Sequence, residues 1–243
     1  MTEELTHNTI DFAQQYFLLR KSEGRIYSDK EVAGLPEIDN GHRHYYEWQI
    51  RKSSSDRLVK YLAKKQKALE ILEIGCGNGW LSAKLSTIPL SRVAGIDIND
   101  DELNQAKRVF NKIENLEFFN CSLLDEMFGG RRFDIIVFAA SVQYFSSLEK
   151  VLNESIKRLK HGGEIHIIDS PLYKQVETSA ARMRSDEYYK TIGFPEMSDQ
   201  YFHHSLEYLK LFNHDILYDP NSFINKLRKN RNPFYWVIVQ GNA

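Results

Sequence analysis

The chain has 243 residues, of which 42% are hydrophobic and 27% are charged, and its 32 basic residues nearly balance 33 acidic ones. This length and hydrophobic content predict one domain with a sizeable core and exclude a disordered or fibrous chain. The net charge of −1 gives no general attraction to polyanions, so the expected partner is a small molecule and not nucleic acid.

Cysteine usage and the absence of long apolar runs bear on the compartment. Cys76 and Cys121 are too few for a disulfide framework, which favours a reducing cytoplasm. Charged residues interrupt the first thirty positions, so no signal peptide is expected, and no apolar run approaches the roughly 20 residues that cross a membrane. The sequence predicts a cytoplasmic protein without a membrane segment and leaves its oligomeric state open.

The first quarter of the chain is predicted to be helical. Phe12, Tyr16 and Leu19 have helical spacing, which predicts an amphipathic helix. Residues 22–41 contain three glycines and a proline and predict an irregular segment, after which helical periodicity resumes from Tyr45 to Lys67. We therefore divide the chain into an N-terminal helical extension or lid, residues 1–55, and a main domain, residues 56–243.

From residue 70 onward, strand patterns alternate with helix patterns. Alternation of this kind predicts a parallel, doubly wound α/β sheet with helices on both faces. Asn99 with Glu102, and Ser146 with Glu149, have the spacing of capping boxes that begin two of the helices. The predicted strands are Ile71–Ile74, Val93–Ile96, Leu116–Phe119, Ile135–Ala140 and Glu164–Ile168, with two further runs at Ile216–Tyr218 and Tyr235–Val239.

The most informative stretch is the first strand and its turn, which contains Gly75, Gly77 and Gly79. Glycine allows positive φ and has no Cβ, so the backbone can turn sharply and lie directly against a ligand. We expect Gly77 to lie where a Cβ has no room. Asp97 ends the next strand and is placed to accept hydrogen bonds from ribose hydroxyls. Together these residues indicate a ligand that contains adenosine.

The glycine spacing separates two such ligands. Dinucleotide sites use G-x-G-x-x-G, whereas this chain has glycines at 75, 77 and 79 with Glu73 two residues earlier. An acidic side chain disfavours a pyrophosphate and suits a ligand with an ammonium or sulfonium group. A nicotinamide-dependent oxidoreductase is therefore the weaker alternative.

The E-x-G-x-G-x-G run of residues 73–79 resembles motif I of the class I S-adenosylmethionine (AdoMet) dependent methyltransferases of the small-molecule type. Asp97, the Phe133–Ala140 strand and the glycine pair at 162 and 163 support the resemblance. It implies a mostly parallel seven-stranded Rossmann-like sheet whose last strand is antiparallel, with a substrate-side insertion at residues 171–211. It also implies AdoMet as cofactor, S-adenosylhomocysteine (AdoHcy) as product and a small-molecule acceptor, for which a hydroxyl is one candidate group.

The resemblance assigns cofactor contacts residue by residue. The backbone of Gly75 and Gly77 faces the methionine part, Glu73 anchors its polar surroundings, Asp97 holds the ribose and Ile98 lies on the adenine. The adenine amino contact falls at Ser122, with Cys121 and Asp125 as alternatives. The other positions predicted to bind the cofactor are Cys76, Leu123, Ala139 and Arg51, the last as a partner for the AdoMet carboxylate.

The acceptor side carries weaker signals. Residues 139–144 lack the Asn-Pro-Pro-Tyr type motif of amino-group methylation of DNA bases or protein glutamine. His203 and His204 are the candidate catalytic bases, because an imidazole titrates near neutrality, and ordinary polar helix positions are the alternative. Asp169, Ser170 and Tyr173 are candidates for the acceptor pocket. No metal-ligand spacing is present, so no metal is expected, and a catalytically inactive binding or partner subunit is the second functional alternative.

Overall fold

The N-terminal extension is helical in a computed structural model that describes residues 2–123, 125, 130–227 and 231–241, with side chains from residue 12 onward. Its helices are α1 (Thr2–Ser22), α2 (Asp29–Gly34) and the first part of α3 (Tyr45–Ala63), which continues past residue 55. Helix α2 lies in the segment predicted to be irregular, so that prediction was wrong there. Ser28 and Glu31 form a capping box, each side chain accepting a hydrogen bond from the other's backbone N–H.

The main domain is a seven-stranded sheet with helices between its strands. Its strand order is β3-β2-β1-β4-β5-β9-β8, and β9 alone runs antiparallel to both neighbours. This confirms the predicted α/β fold and its reversed last strand. The strands are β1 (Leu69–Ile74), β2 (Ser91–Asp97), β3 (Leu116–Asn120), β4 (Phe133–Ala139), β5 (Leu159–Ile168), β6 (Leu172–Tyr173), β7 (His204–Ser205), β8 (His214–Tyr218) and β9 (Trp236–Gln240); β6 and β7 form a separate pair.

The remaining helices pack around this sheet, and the central strands are apolar on both faces. Leu72 and Ile74 of β1 belong to one buried cluster, whereas Leu69 and Ile71 belong to the cluster on the opposite face. Side chains of a strand alternate between faces, and a strand buried on both sides therefore reads as a continuous apolar run. The helices are α4 (Trp80–Leu85), α5 (Asp100–Val109), α6 (Leu148–Ile156), α7 (Thr178–Thr191) and α8 (Phe223–Lys226).

The two predicted capping boxes differ in outcome. Asn99 caps α5 as expected, but its own N–H donates to Asp97 Oδ1 at 2.9 Å, so Glu102 does not reach back to it. Helix α6 begins one residue later than predicted. Its cap is Ser147 rather than Ser146, and the Ser147 hydroxyl accepts from Lys150 N at 3.2 Å. The side chain of Glu102 is consequently available to the site described below.

Across the described ranges, no helix has both the length and the apolar character needed to cross a bilayer. The thiols of Cys76 and Cys121 are free and buried.

Gly95 of β2 lies beside the glycine turn, where neighbouring side chains leave no room for a Cβ. A Cβ there would lie 2.8 Å from Ser82 Oγ and 2.9 Å from both Cys76 Sγ and Phe118 Cδ1. Because these contacts are shorter than a real Cβ tolerates and Ser82 and Cys76 are buried, we expect Gly95→Ala to lower the free energy of unfolding by about 1–3 kcal/mol in urea titrations. Gly34→Ala is the matched control, since no heavy atom lies within 4 Å of its Cβ position. Equal stability of the two variants would contradict this account of the turn.

Candidate active site

The glycine turn after β1 is the floor of the site. Gly75, Gly77 and Gly79 all have positive φ, of 73°, 51° and 77°. A Cβ on Gly75 would lie 2.6 Å from Ser141 Cβ, so this glycine is required for packing as well as for conformation. At Gly77 the expectation of no room for a Cβ is not met. The nearest atoms would be the Glu102 carboxyl oxygens at 3.4 and 3.5 Å, and only the positive φ favours glycine there.

A cavity of about 830 Å³ lies over this turn at the carboxyl ends of the parallel strands. This is where open α/β sheets bind ligands, and the volume lies near the upper end of the roughly 300–1,000 Å³ range of small-molecule sites. The structure brings together in its lining all ten positions predicted to bind the cofactor, although their roles stay predictions: Arg51, Glu73, Gly75, Cys76, Gly77, Asp97, Ile98, Ser122, Leu123 and Ala139.

Three carboxyl groups form one wall of the cavity. Glu73 is buried and accepts a hydrogen bond from Ser82 Oγ at 2.5 Å. Asp97 accepts from the backbone N–H groups of Gly77 at 2.7 Å and of Asn99 at 2.9 Å. Glu102, which the sequence suggested as a helix cap, completes the wall. We refer to Glu73, Asp97 and Glu102 as the carboxyl wall.

Burial shifts the titration of this wall. It raises the pKa of Glu73 to about 8 and that of Glu102 to about 7, and the charge of Asp97 adds to both shifts. The pKa of Asp97 is also raised by burial, against the opposing effect of its backbone hydrogen bonds. Because the three carboxyl groups are buried close to one another, each ionisation makes the next one harder. The wall therefore favours a ligand that brings positive charge and hydrogen-bond donors.

Across the cavity, the N-terminal extension supplies a network of arginines and glutamates. Glu47 pairs with Arg25 and, at 3.1 Å, with Arg51. Glu23 pairs with Arg20 at 3.1 Å and with Arg25 at 3.2 Å. Although burial raises the pKa of Glu47, Arg51 and Arg25 bring it down to about 2. Three guanidiniums thus face two carboxylates, and the sequence predicted only Arg51 among these residues.

Aromatic rings close the side of the cavity next to this network. Tyr144, just after β4, contacts Tyr16 and Phe12 of α1, with ring centroids 5.4 and 5.8 Å apart. It also meets Tyr201 of the 171–211 segment at 5.8 Å, and Tyr201 meets Tyr189 of α7 at 5.9 Å. All five rings line the cavity, and we call Phe12, Tyr16, Tyr144, Tyr189 and Tyr201 the aromatic wall.

The two candidate catalytic histidines lie behind the cavity lining. His203 Nε2 is 2.8 Å from the hydroxyl of Ser185, and Ser185 lines the cavity. His204 is buried, and its Nε2 donates to the carbonyl of Val142 at 3.1 Å. Burial lowers the pKa of both imidazoles. His203 is therefore one side chain away from the cavity, whereas the geometry of His204 fits a packing position.

The structure also shows which candidates for the adenine amino contact and for the acceptor pocket line the cavity. Cys121 and Ser122 line the cavity, but the Asp125 carboxylate accepts from Ser122 N at 2.6 Å and is not part of the lining. On the acceptor side, Asp169 and Tyr173 line the cavity and Ser170 does not. Within the described residues, no group of three or more His, Cys, Asp or Glu side chains could hold a metal ion.

Fold and site together define a class: a doubly wound α/β protein with a glycine turn after its first strand and an acidic residue ending its second. Residues 65–231 match a family model described as "Methyltransferase domain". That match covers more than half of the chain, and the chain belongs to this methyltransferase family.

Individual relatives agree with the family. Over 167 residues the chain is 27% identical to the malonyl-[acyl-carrier protein] O-methyltransferase of Acetivibrio thermocellus, covering 65% of this chain and 58% of that protein. The chain spans about half the length of the curated relatives it matches. Among solved structures, the CurJ carbon methyltransferase has TM-score 0.64 at 15% identity, covering 99% of this chain and 70% of that chain. The plantazolicin methyltransferase BpumL has TM-score 0.56 at 14% identity, covering 97% and 99%. These two share the fold.

The raised pKa of Glu73 predicts a pH dependence of stability. Between its ordinary value of 4.5 and about 8, the folded state keeps a proton that the unfolded chain releases, so stability falls as pH rises through this window. Glu73→Gln abolishes the titration and can still accept from Ser82. We expect its stability relative to wild type to increase by on the order of 3–5 kcal/mol between pH 5 and pH 9, measured by urea unfolding.

The control is Glu149→Gln, which removes an exposed acid of α6. A stability difference for Glu73→Gln that stays constant from pH 5 to pH 9 would show that Glu73 ionises normally in the folded protein.

Proposed function

We propose that the protein transfers a methyl group from AdoMet to a small-molecule acceptor. The observation that carries this proposal is the carboxyl wall beside the glycine turn. AdoMet brings an ammonium, a sulfonium and two ribose hydroxyls, which are the charges and donors that the wall lacks. A dinucleotide would instead bring the negative charge of a pyrophosphate, which opposes ionisation of the same carboxyls.

The proposed roles of the cofactor residues follow from their positions. Asp97 binds the ribose with the carboxylate lone pairs that Gly77 and Asn99 leave unused. Glu73 and Glu102 offset the positive charge of the methionine part, while the backbone of Gly75 and Gly77 lies against it. Cys76 belongs to the same turn. Ile98 and Leu123 pack on the adenine, Ser122 contacts its amino group, Ala139 closes the floor and Arg51 pairs with the AdoMet carboxylate.

Methyl transfer from a sulfonium is an in-line displacement, which needs alignment of the acceptor and exclusion of water. The cavity contributes to both, because the extension and the 171–211 segment line it above the strand ends. We propose residues 1–55 as a lid and residues 171–211 as the substrate-side insertion of a catalytic domain spanning 56–243.

An oxygen acceptor is supported by the O-methyltransferase named among the relatives, and His203, acting through Ser185, is the candidate base.

The buried free thiols of Cys76 and Cys121 support a reducing compartment, and we propose the cytoplasm. The near-neutral charge of the chain supports a small-molecule acceptor over nucleic acid.

The proposal is tested by isothermal calorimetry with AdoMet, AdoHcy and NAD, followed by an assay for AdoHcy release. We expect AdoMet and AdoHcy to bind in preference to NAD, because the carboxyl wall attracts their charge. NAD binding as tight as AdoMet binding would overturn the assignment. Binding of AdoMet with no turnover of any acceptor would favour the non-catalytic alternative.

Asp97→Ala should weaken AdoMet binding by roughly 1.5–3 kcal/mol, through loss of charge-assisted hydrogen bonds to the ribose. Asp101→Ala, which removes an exposed acid four residues further on, is the control and should bind normally. The dissociation constants are compared at one pH after circular dichroism has shown that both variants fold. An unchanged constant in folded Asp97→Ala would remove Asp97 from the ribose site.

A further inference from the structure

Helix α7 presents one face to the cavity. Ala181, Arg184, Ser185 and Tyr188 of this helix all line it, and their i, i+3, i+4 and i+7 spacing is that of a single helix face. Arg182 lies on another side of the helix and does not line the cavity. Arg184 is therefore on the cavity side of α7, although the residue is exposed to solvent. It lies where the cavity opens, within reach of a ligand.

Arg184 differs from the other polar side chains of this face in its contacts. The hydroxyl of Tyr188 donates to Glu23, and the hydroxyl of Ser185 lies 2.8 Å from His203 Nε2. Among the residues that the structure describes, none forms a hydrogen bond or an ion pair with the Arg184 side chain. A guanidinium stays charged at any physiological pH and presents a rigid fork of N–H donors. Arg184 therefore offers that fork to a ligand.

The charges around the cavity leave Arg184 without a counterpart. Every other basic side chain in the described lining belongs to the network of the N-terminal extension: Arg20, Arg25 and Arg51. Each of these pairs with Glu23 or Glu47. Three guanidiniums and two carboxylates leave one positive charge in the network, and the carboxylate of AdoMet matches it under the proposed function. The charge of Arg184 is then balanced neither by a described residue nor by the cofactor.

A row of rings leads from the end of β4 to Arg184. Tyr144, just after β4, contacts Tyr201 with ring centroids 5.8 Å apart. Tyr201 meets His203 at 5.2 Å, and His203 meets Tyr173 at 5.6 Å. Burial raises the pKa of Tyr173, and the positive charge of Arg184 opposes that rise, which places the guanidinium near this ring. Arg184 thus lies at the far end of the row from the glycine turn.

We propose that Arg184 binds an anionic group of the acceptor, a carboxylate or a phosphate, while the acceptor's aromatic body lies along the aromatic wall. This rests on the proposed function and specifies its acceptor class. A guanidinium binds such oxyanions through two parallel N–H groups. The anion is an anchor and keeps its charge throughout, because the atom that is methylated lies at the other end of the acceptor, beside the glycine turn.

This arrangement discriminates between acceptors by charge. An acceptor with an ammonium group would bring a second positive charge to Arg184, and a neutral acceptor would gain no attraction from it. The aromatic wall suits a planar apolar body, so both ends of the acceptor are specified. Because Arg184 is exposed, water and salt screen the attraction, and its effect on affinity is moderate.

The test is calorimetry on the complex of the protein with AdoHcy, using three phenols as probes: para-hydroxycinnamate, para-hydroxyphenyl phosphate and the neutral para-hydroxycinnamamide. Wild type is compared with Arg184→Gln, which removes the charge, and Arg184→Lys, which keeps the charge without the fork. Arg182→Gln removes an exposed arginine of the same helix that does not line the cavity, and is the matched control. AdoHcy affinity and the thermal midpoint are measured for every variant.

We expect wild type to bind at least one anionic probe about 5-fold to 30-fold more tightly than the amide, with a preference that falls as KCl is added. The anion that binds more tightly identifies the group as carboxylate or phosphate. Arg184→Gln should remove the preference at unchanged AdoHcy affinity, Arg184→Lys should keep part of it, and Arg182→Gln should keep it.

The inference is overturned if a protein that binds AdoHcy binds the amide as tightly as both anions, or binds none of the probes. It is equally overturned if folded Arg184→Gln keeps the preference or if Arg182→Gln loses as much of it. With AdoMet, a product methylated on the carboxylate or phosphate would contradict the role of the anion as an anchor. Failure to bind AdoMet and AdoHcy would instead overturn the proposed function, and this inference with it.

Discussion

The missing Cβ at Gly75 allows the end of β1 to meet the end of β4, and the site depends on that contact. Any side chain there would collide with Ser141, whose own hydroxyl donates to Ile74 O at 2.6 Å and fastens the two strand ends together. On the other side, the N–H groups of Gly75 and Cys76 both donate to Ile96 O at 2.9 and 3.0 Å. The glycine turn thus connects the ends of β2, β1 and β4 through hydrogen bonds and packing, and the cavity lies over this turn.

The contacts of the glycine turn also determine how charge is distributed around the cavity. The turn aims the Gly77 N–H at Asp97, and Asp97 in turn occupies the N–H of Asn99, which leaves Glu102 free to face the cavity. Acidic groups therefore concentrate at the end of the cavity formed by the sheet. Arg25 and Arg51 of the extension add positive charge on the other side, where they flank Glu47. Opposite charges separated across one cavity suit a ligand that carries both signs.

The extension and the 171–211 segment also meet each other over the site. The hydroxyl of Tyr188 in α7 donates to Glu23 at 2.5 Å, and the carbonyl of Glu23 is within 3.1 Å of His44 Nε2. Tyr144 contacts rings from both segments. The cavity is therefore lined by parts of the chain that are far apart in sequence.

The sequence alone determined the seven strands of the main sheet, the glycine turn and the acidic end of β2, because these depend on short-range patterns: apolar runs, φ requirements and the spacing of one strand–helix unit. It also contained the Ser28 and Glu31 capping box that begins α2. Only the tertiary structure decided that Glu102 joins the carboxyl wall and that His204 bonds to Val142. Each of those outcomes is a competition for hydrogen bonds between residues brought together by the sheet, and no local pattern records which partner wins.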